Sequence, residues 1–123
     1  MKKDLLGWAL AGMLLAVSAG AAGAEEPIRI GHSVSLTGGS SMWGLAEQNA
    51  LDMLVEEINA AGGVLGRTLE LIHYDNRGDA VESVNVARRL VGDGVVAVIG
   101  PAQSGNSIAS APVFENAGIP MVV

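Results

Sequence analysis

The sequence contains no cysteine. A disulfide framework is therefore excluded, and zinc–thiolate sites go with it. Lysine does not recur after Lys3, and residues 25–123 carry five arginines against twelve Asp and Glu. An acidic segment without a basic cluster argues against nucleic acid and against anionic membrane surfaces as partners. Histidine occurs only as His32 and His73. Both fall in strand-like runs, where a packed or solvated role is commoner than that of a catalytic base. No G-x-G-x-x-G follows the first apolar run, and Gly62 to Gly66 lead into no Gly-Lys-Ser/Thr. Neither a dinucleotide cofactor nor a phosphate loop is expected, and no other cofactor is implied. Gly31-His32-Ser33-Val34-Ser35 misses the nucleophile elbow because Ser35 replaces the closing glycine that the strained turn needs. A hydrolase built on Ser33 or Ser104 is thus a remote alternative. Asp75, Asp79 and Glu82 fit no metal-ligand spacing.

What is present begins with an export signal. Lys2 and Lys3 precede an uncharged apolar stretch from Leu5 to Val17, and Ala22-Gly23-Ala24 supply small residues before Glu25. That layout predicts a signal peptide over residues 1–24, cleaved after Ala24; a retained membrane anchor is the alternative. Residues 25–123 then form a single small unit.

Within it, short apolar runs alternate with longer amphipathic ones. Ile28 to Val34 reads as a first strand, Thr68 to Tyr74 as a second, Val95 to Ile99 as a third and Ile119 to Val123 as a fourth. The third is a continuous β-branched run of the kind covered on both faces. Gly44 to Ala61 predicts a helix with Ala46, Ala50, Leu54, Ile58 and Ala61 turned inward and Gln48, Asp52, Glu56 and Asn59 outward. Glu47 and Glu57 interrupt its apolar side, and Gly62-Gly63 stop it. Asp79 caps a second helix, with Glu82 three residues on in a capping-box arrangement. Its inward set reads Ala80, Val84, Ala87, Leu90 and Val91. A third helix spans about Ser104 to Asn116, with Pro112 predicting a kink or a later start near Ser110. The β-α-β-α-β-α-β order predicts an α/β fold: a parallel sheet with flanking helices, Rossmann-like in outline. An apolar final strand ending the sequence reads as the leading piece of a longer protein.

Ligands of open parallel sheets bind beyond the carboxyl ends of the strands. The Gly100 to Ser107 loop opens the third helix there, where free N–H groups and a partial positive charge suit an anion. Ser104 adds a hydroxyl and Gly105 permits close backbone approach, although Ser104 is equally a natural helix cap. Trp43, beside the hydroxyl-rich Ser35 to Ser41 loop, either covers an apolar ligand group or plugs the core.

Several stretches together resemble a known family: Ile28-Arg29-Ile30-Gly31, Ser35-Leu36-Thr37-Gly38, Trp43-Gly44, Glu57 to Gly63, Tyr74-Asp75, Val98-Ile99-Gly100-Pro101 with Ser104, and Gly118-Ile119-Pro120. They are similar to the N-terminal lobe of the leucine/isoleucine/valine-binding proteins, type I periplasmic solute receptors of ABC importers. The resemblance implies a monomeric, non-catalytic, two-lobed clamp in the periplasm that closes on an amino acid and delivers it to an inner-membrane permease. It implies that Ser104 holds the ligand carboxylate by hydroxyl and backbone N–H, that Gln103 sits beside it, and that Trp43 packs on the ligand side chain. Some relatives join the second and third strand-end loops by a disulfide; the matching places here are Gly78 and Gln103. The same lobe also serves receptors for urea, amides and aromatic acids, and ligand-sensing domains of regulators.

Overall fold

The computed structural model describes residues 25–123. The signal peptide read from residues 1–24 lies outside the described residues. Four strands, β1 (Ile28–Val34), β2 (Leu69–Asp75), β3 (Ala97–Ile99) and β4 (Met121–Val122), alternate with α1 (Ser41–Ala60), α2 (Ala80–Gly92) and α3 (Ser104–Ala117). All strand pairs are parallel and the sheet order is β2-β1-β3-β4. The α/β architecture is the one that the alternation of short and long runs predicts.

The two sheet faces differ in chemistry. Side chains alternate along a strand, and a Cβ at Gly31 would meet Leu90 of α2 at 3.0 Å. Odd-numbered β1 residues therefore face α2, and His32 faces α1. On the α2 side Val86, Ala87, Leu90, Val95, Val98 and Phe114 form the buried core, with α2 and α3 packed on each other. Val86 is fully buried and Ser83 with it, whereas Ala80, expected inward, is exposed. The inward arc of α2 is thus rotated slightly from the one predicted. Val98 alone of β3 is fully buried; Ala97 and Ile99 are half-buried, so the strand is not sealed on both faces as expected.

Caps behave largely as read. The Asp79 carboxylate accepts from the Glu82 N–H at 2.8 Å, which satisfies one of the four free amides of the first turn. The reciprocal half of a capping box is missing, because the Asp79 N–H goes to the Asn76 carbonyl. Asp79→Ala should cost about 1 kcal/mol, measured by urea unfolding; a change under a few tenths would show that the cap is dispensable. Gly62 and Gly63 end α1 at positive φ, the Gly63 N–H bonding back to the Ile58 carbonyl at 2.9 Å. Pro112 does not delay α3, which runs continuously from Ser104. The carbonyl that Pro112 leaves without its helical partner is that of Ile108, an exposed residue, so the loss falls where solvent has access.

Helix α1 corrects the sequence reading most. Ala46, Ala50 and Leu54 are exposed, Leu54 by 50%. The face on the sheet is Gly44, Glu47, Gln48, Leu51, Val55 and Asn59, with Ile58 shared between both readings. Specific contacts, not the apolar stripe, set this rotation. The Asn59 amide donates to the Leu69 carbonyl and accepts from its N–H at 2.9 and 2.7 Å. Gly44 lies so close to the Ser35 carbonyl that no side chain fits between them. No helix among the described residues is long and apolar enough to cross a membrane.

Candidate ligand-binding site

The carboxyl ends of β1, β2 and β3 are tied together by polar side chains. Asn76, fully buried just after β2, is the centre of this knot. Its Oδ1 accepts from the Ser35 hydroxyl at 2.8 Å and the Gly78 N–H at 2.9 Å, while its Nδ2 donates to Ser33 Oγ at 3.1 Å. Gln103 joins from the third loop, donating from Nε2 to Ser35 Oγ at 3.0 Å. A Cβ on Gly78 would stand 3.7 Å from Gln103 Nε2. These are the two places where the resemblance puts a disulfide, and here hydrogen bonds make the same link.

Asp75 latches the first loop. Its Oδ1 accepts from the N–H groups of Leu36, Thr37 and Arg77, and its Oδ2 from the Thr37 hydroxyl at 2.6 Å. Burial opposes the charge, but these donors prevail and hold the carboxyl below its ordinary range. The latch orders the segment that leads into Trp43.

Ser104 is the first residue of α3, and Gln103 occupies the cap position without using its side chain as a cap. The alternative that Ser104 merely caps the helix is thereby removed. The N–H groups of Asn106 and Ser107 both go to the Gln103 carbonyl, leaving those of Ser104 and Gly105 at the open helix start. Both residues are exposed. Trp43 is 69% exposed and plugs no core. It lines a small crevice with Ser35, Gly44, Glu47, Ala102 and Gln103. Trp43 and Gln103 thus share one opening; Ser104, the next residue after Gln103, is not among the residues that line it. A wider, mainly apolar cavity of about 330 Å³ lies alongside, over β3 and β4, and Glu47 lines that one too.

The feature that sequence reasoning missed is the contact between the two histidines. His32, 1% exposed, meets His73 with Nδ1 to Nδ1 at 2.8 Å. His73 Nε2 reaches Asp52 Oδ1 at 2.9 Å, and His32 Nε2 lies 3.8 Å from Glu47 Oε2. Burial first, then the neighbouring His73, depress His32 to about 4, Asp52 opposing weakly. The signal was present in the polar side chains set inside strand runs, but only the β1–β2 register pairs them. Ser33 is buried and bonded to Asn76, and His32 points to the opposite face of the sheet. No serine nucleophile and base are brought together there. Among the described residues no cluster of three His, Asp or Glu is placed to hold a metal ion.

A rim of helix-start amides and hydroxyls thus lies at the carboxyl ends of the parallel sheet, where open α/β sheets bind ligands. The chain belongs to the periplasmic binding protein family, whose model matches residues 27–123. That family consists of solute-binding proteins, not enzymes. The chain is 36% identical to the Leu/Ile/Val-binding protein homolog 7 of Brucella suis over 124 residues, covering 98% of this chain and 29% of the relative. It is 33% identical to the leucine-specific-binding protein of Salmonella typhimurium, over 88% of this chain and 29% of that one. Among solved structures it is similar to the branched-chain amino acid transporter substrate-binding protein LivJ from Streptococcus pneumoniae in complex with isoleucine. That likeness has a TM-score of 0.75 and 38% identity, over 77% of this chain and 28% of the other. The chain therefore spans under a third of the length of these relatives.

Proposed function

We propose that residues 25–123 are the N-terminal lobe of an exported, periplasmic solute receptor that binds an amino acid, of branched-chain type, and presents it to an ABC permease. Residues 1–24 act in this reading as the export signal. The observation that carries it is the exposed start of α3: Ser104 and Gly105 offer unengaged amides and a hydroxyl beside the crevice that Trp43 and Gln103 line. A carboxylate is the natural occupant of such a helix terminus. The indole of Trp43 supplies an apolar surface for an aliphatic side chain at the same opening. The leucine-specific-binding relative and the isoleucine-bound LivJ point the same way.

Isothermal calorimetry of the full-length protein with leucine, isoleucine and valine tests this. Ser104→Ala should weaken binding by about 2 kcal/mol, or roughly thirtyfold, as the loss of a charge-assisted hydrogen bond. Affinity equal to that of the wild type would refute the role given to Ser104.

A further inference from the structure

A chain of contacts, Asp52–His73–His32–Glu47, runs along the seam between α1 and the sheet. It contains three gaps that can each hold one proton. Asp52 Oδ1 faces His73 Nε2 at 2.9 Å, His73 Nδ1 faces His32 Nδ1 at 2.8 Å, and His32 Nε2 faces Glu47 Oε2 at 3.8 Å. Two neutral imidazoles bring only two N–H protons. The Asp52 carboxylate claims the one on His73 Nε2, so His73 Nδ1 is bare and accepts from the His32 Nδ1–H. The gap to Glu47 is then empty. Asp52 and Glu47 from α1 and His73 from β2 are the titratable groups that face His32. Strands β3 and β4 place only the apolar Ile99 and Val122 beside it. Arg29, on the same strand as His32, is engaged by Glu70 and by the Asp93 carbonyl.

One added proton fits this chain. It enters at His32 Nε2, opposite Glu47, and the shared proton shifts across to His73 Nδ1. All three gaps are then filled, and His73 is the cation. A second added proton has no gap left. Both rings would be charged, and two N–H donors would face each other across the 2.8 Å contact. The rings must then part. The sheet cannot supply the room, because β1 and β2 are paired along their whole length with His32 opposite His73. Helix α1 lies over the rings and is the element that can give way. Its end is pinned by the two bonds between the Asn59 amide and Leu69, so the lift falls on the half that begins at Ser41. We propose that the His32–His73 pair is an acid-operated latch on α1, which takes one proton with the helix docked and frees the helix start on taking the second. Burial and the neighbouring His73 hold back protonation of His32 to about 4, so the latch stays shut at neutral pH. Trp43 rides on the freed half, and release therefore opens one wall of the crevice.

Two measurements on the unliganded full-length protein test the latch, and neither depends on the solute-binding reading. Long-range ¹H–¹⁵N NMR from about pH 8 down to about 4 follows both rings. The neutral His32 should carry its proton on Nδ1 at first and on Nε2 once His73 is charged. A proton that stays on His32 Nδ1 while His73 charges, or both rings charging in a single step, overturns the proposal. Hydrogen exchange, corrected for the intrinsic effect of pH, should show protection from Leu45 to Asp52 falling about tenfold or more as His32 charges, with α2 unchanged. His32→Val should lose no protection there. Equal loss in the two helices, or in the two proteins, overturns the release of α1. Should His32→Val fail to fold, the comparison of α1 with α2 in the wild type decides the matter.

Discussion

Unfolding free energy is expected to fall by about 3 kcal/mol as pH drops from 6.5 to about 4, because of His32. In the unfolded chain this imidazole takes a proton near 6.5, whereas in the folded chain burial and His73 delay uptake to about 4. Between those values the unfolded state binds more protons, so stability rises with pH across the window. The contribution is complete above 6.5, and below about 4 this group takes away no more. Asp75 acts at lower pH, since its carboxyl is held below the ordinary range and its stabilisation is lost only in stronger acid. The two windows are therefore separable. Urea unfolding at stepped pH should give a clear slope between 6.5 and 4 in the wild type and a much flatter one in His32→Val. Equal slopes in the two proteins would sink the assignment to His32.

Gly44→Ala is expected to cost about 3 kcal/mol, at the upper end of ordinary overpacking. A Cβ at this position would overlap the Ser35 carbonyl oxygen and press on Val34 Cγ2 at 3.0 Å. Neither atom has room to yield. The Ser35 hydroxyl is held by Asn76 and Gln103, and Val34 is buried in the strand. The first turns of α1 must instead lift from the sheet, carrying Trp43 and Glu47 out of the crevice. Stability and leucine affinity should therefore fall together. Gly92→Ala provides the contrast, since its Cβ would meet nothing within 4 Å at the end of α2. That change should be neutral or stabilise by up to about 1 kcal/mol. If both variants unfold at the same urea concentration, close approach at Gly44 is not what seats the helix.

Much of this architecture is legible in the amino-acid order. The first strand was bounded correctly at Ile28 and Val34 because Pro27 and the Ser35 to Gly39 segment punctuate an apolar run. Asp79 announced its helix, and the Gly62-Gly63 pair announced the end of α1. The α3 start was readable only in part: a buried run halting at Gly100-Pro101 before small polar residues marks a strand end and a helix opening, but Pro112 argued for a kink or a later start near Ser110, which the structure does not show. The rotation of α1 was not. Its stripe of Ala46, Ala50 and Leu54 is as regular as any in the chain, yet it faces outward. Periodicity finds that a helix has an apolar side; it does not say which neighbour that side will meet. Here Gly44, Asn59 and the two histidines hold an adjacent side to the sheet.

The β/α alternation, most of the element ends and a helix opening near Ser104 were legible locally, because these depend on residues within a few positions of one another; that Ser104 is exposed came from the structure. Tertiary structure alone decided that His32 meets His73, that Ser35 and Asn76 bond, and that Asp75 latches the loop before Trp43. Each of those links joins residues about forty positions apart. They exist only because β1 and β2 pair in parallel with His32 opposite His73, a register that no local pattern encodes.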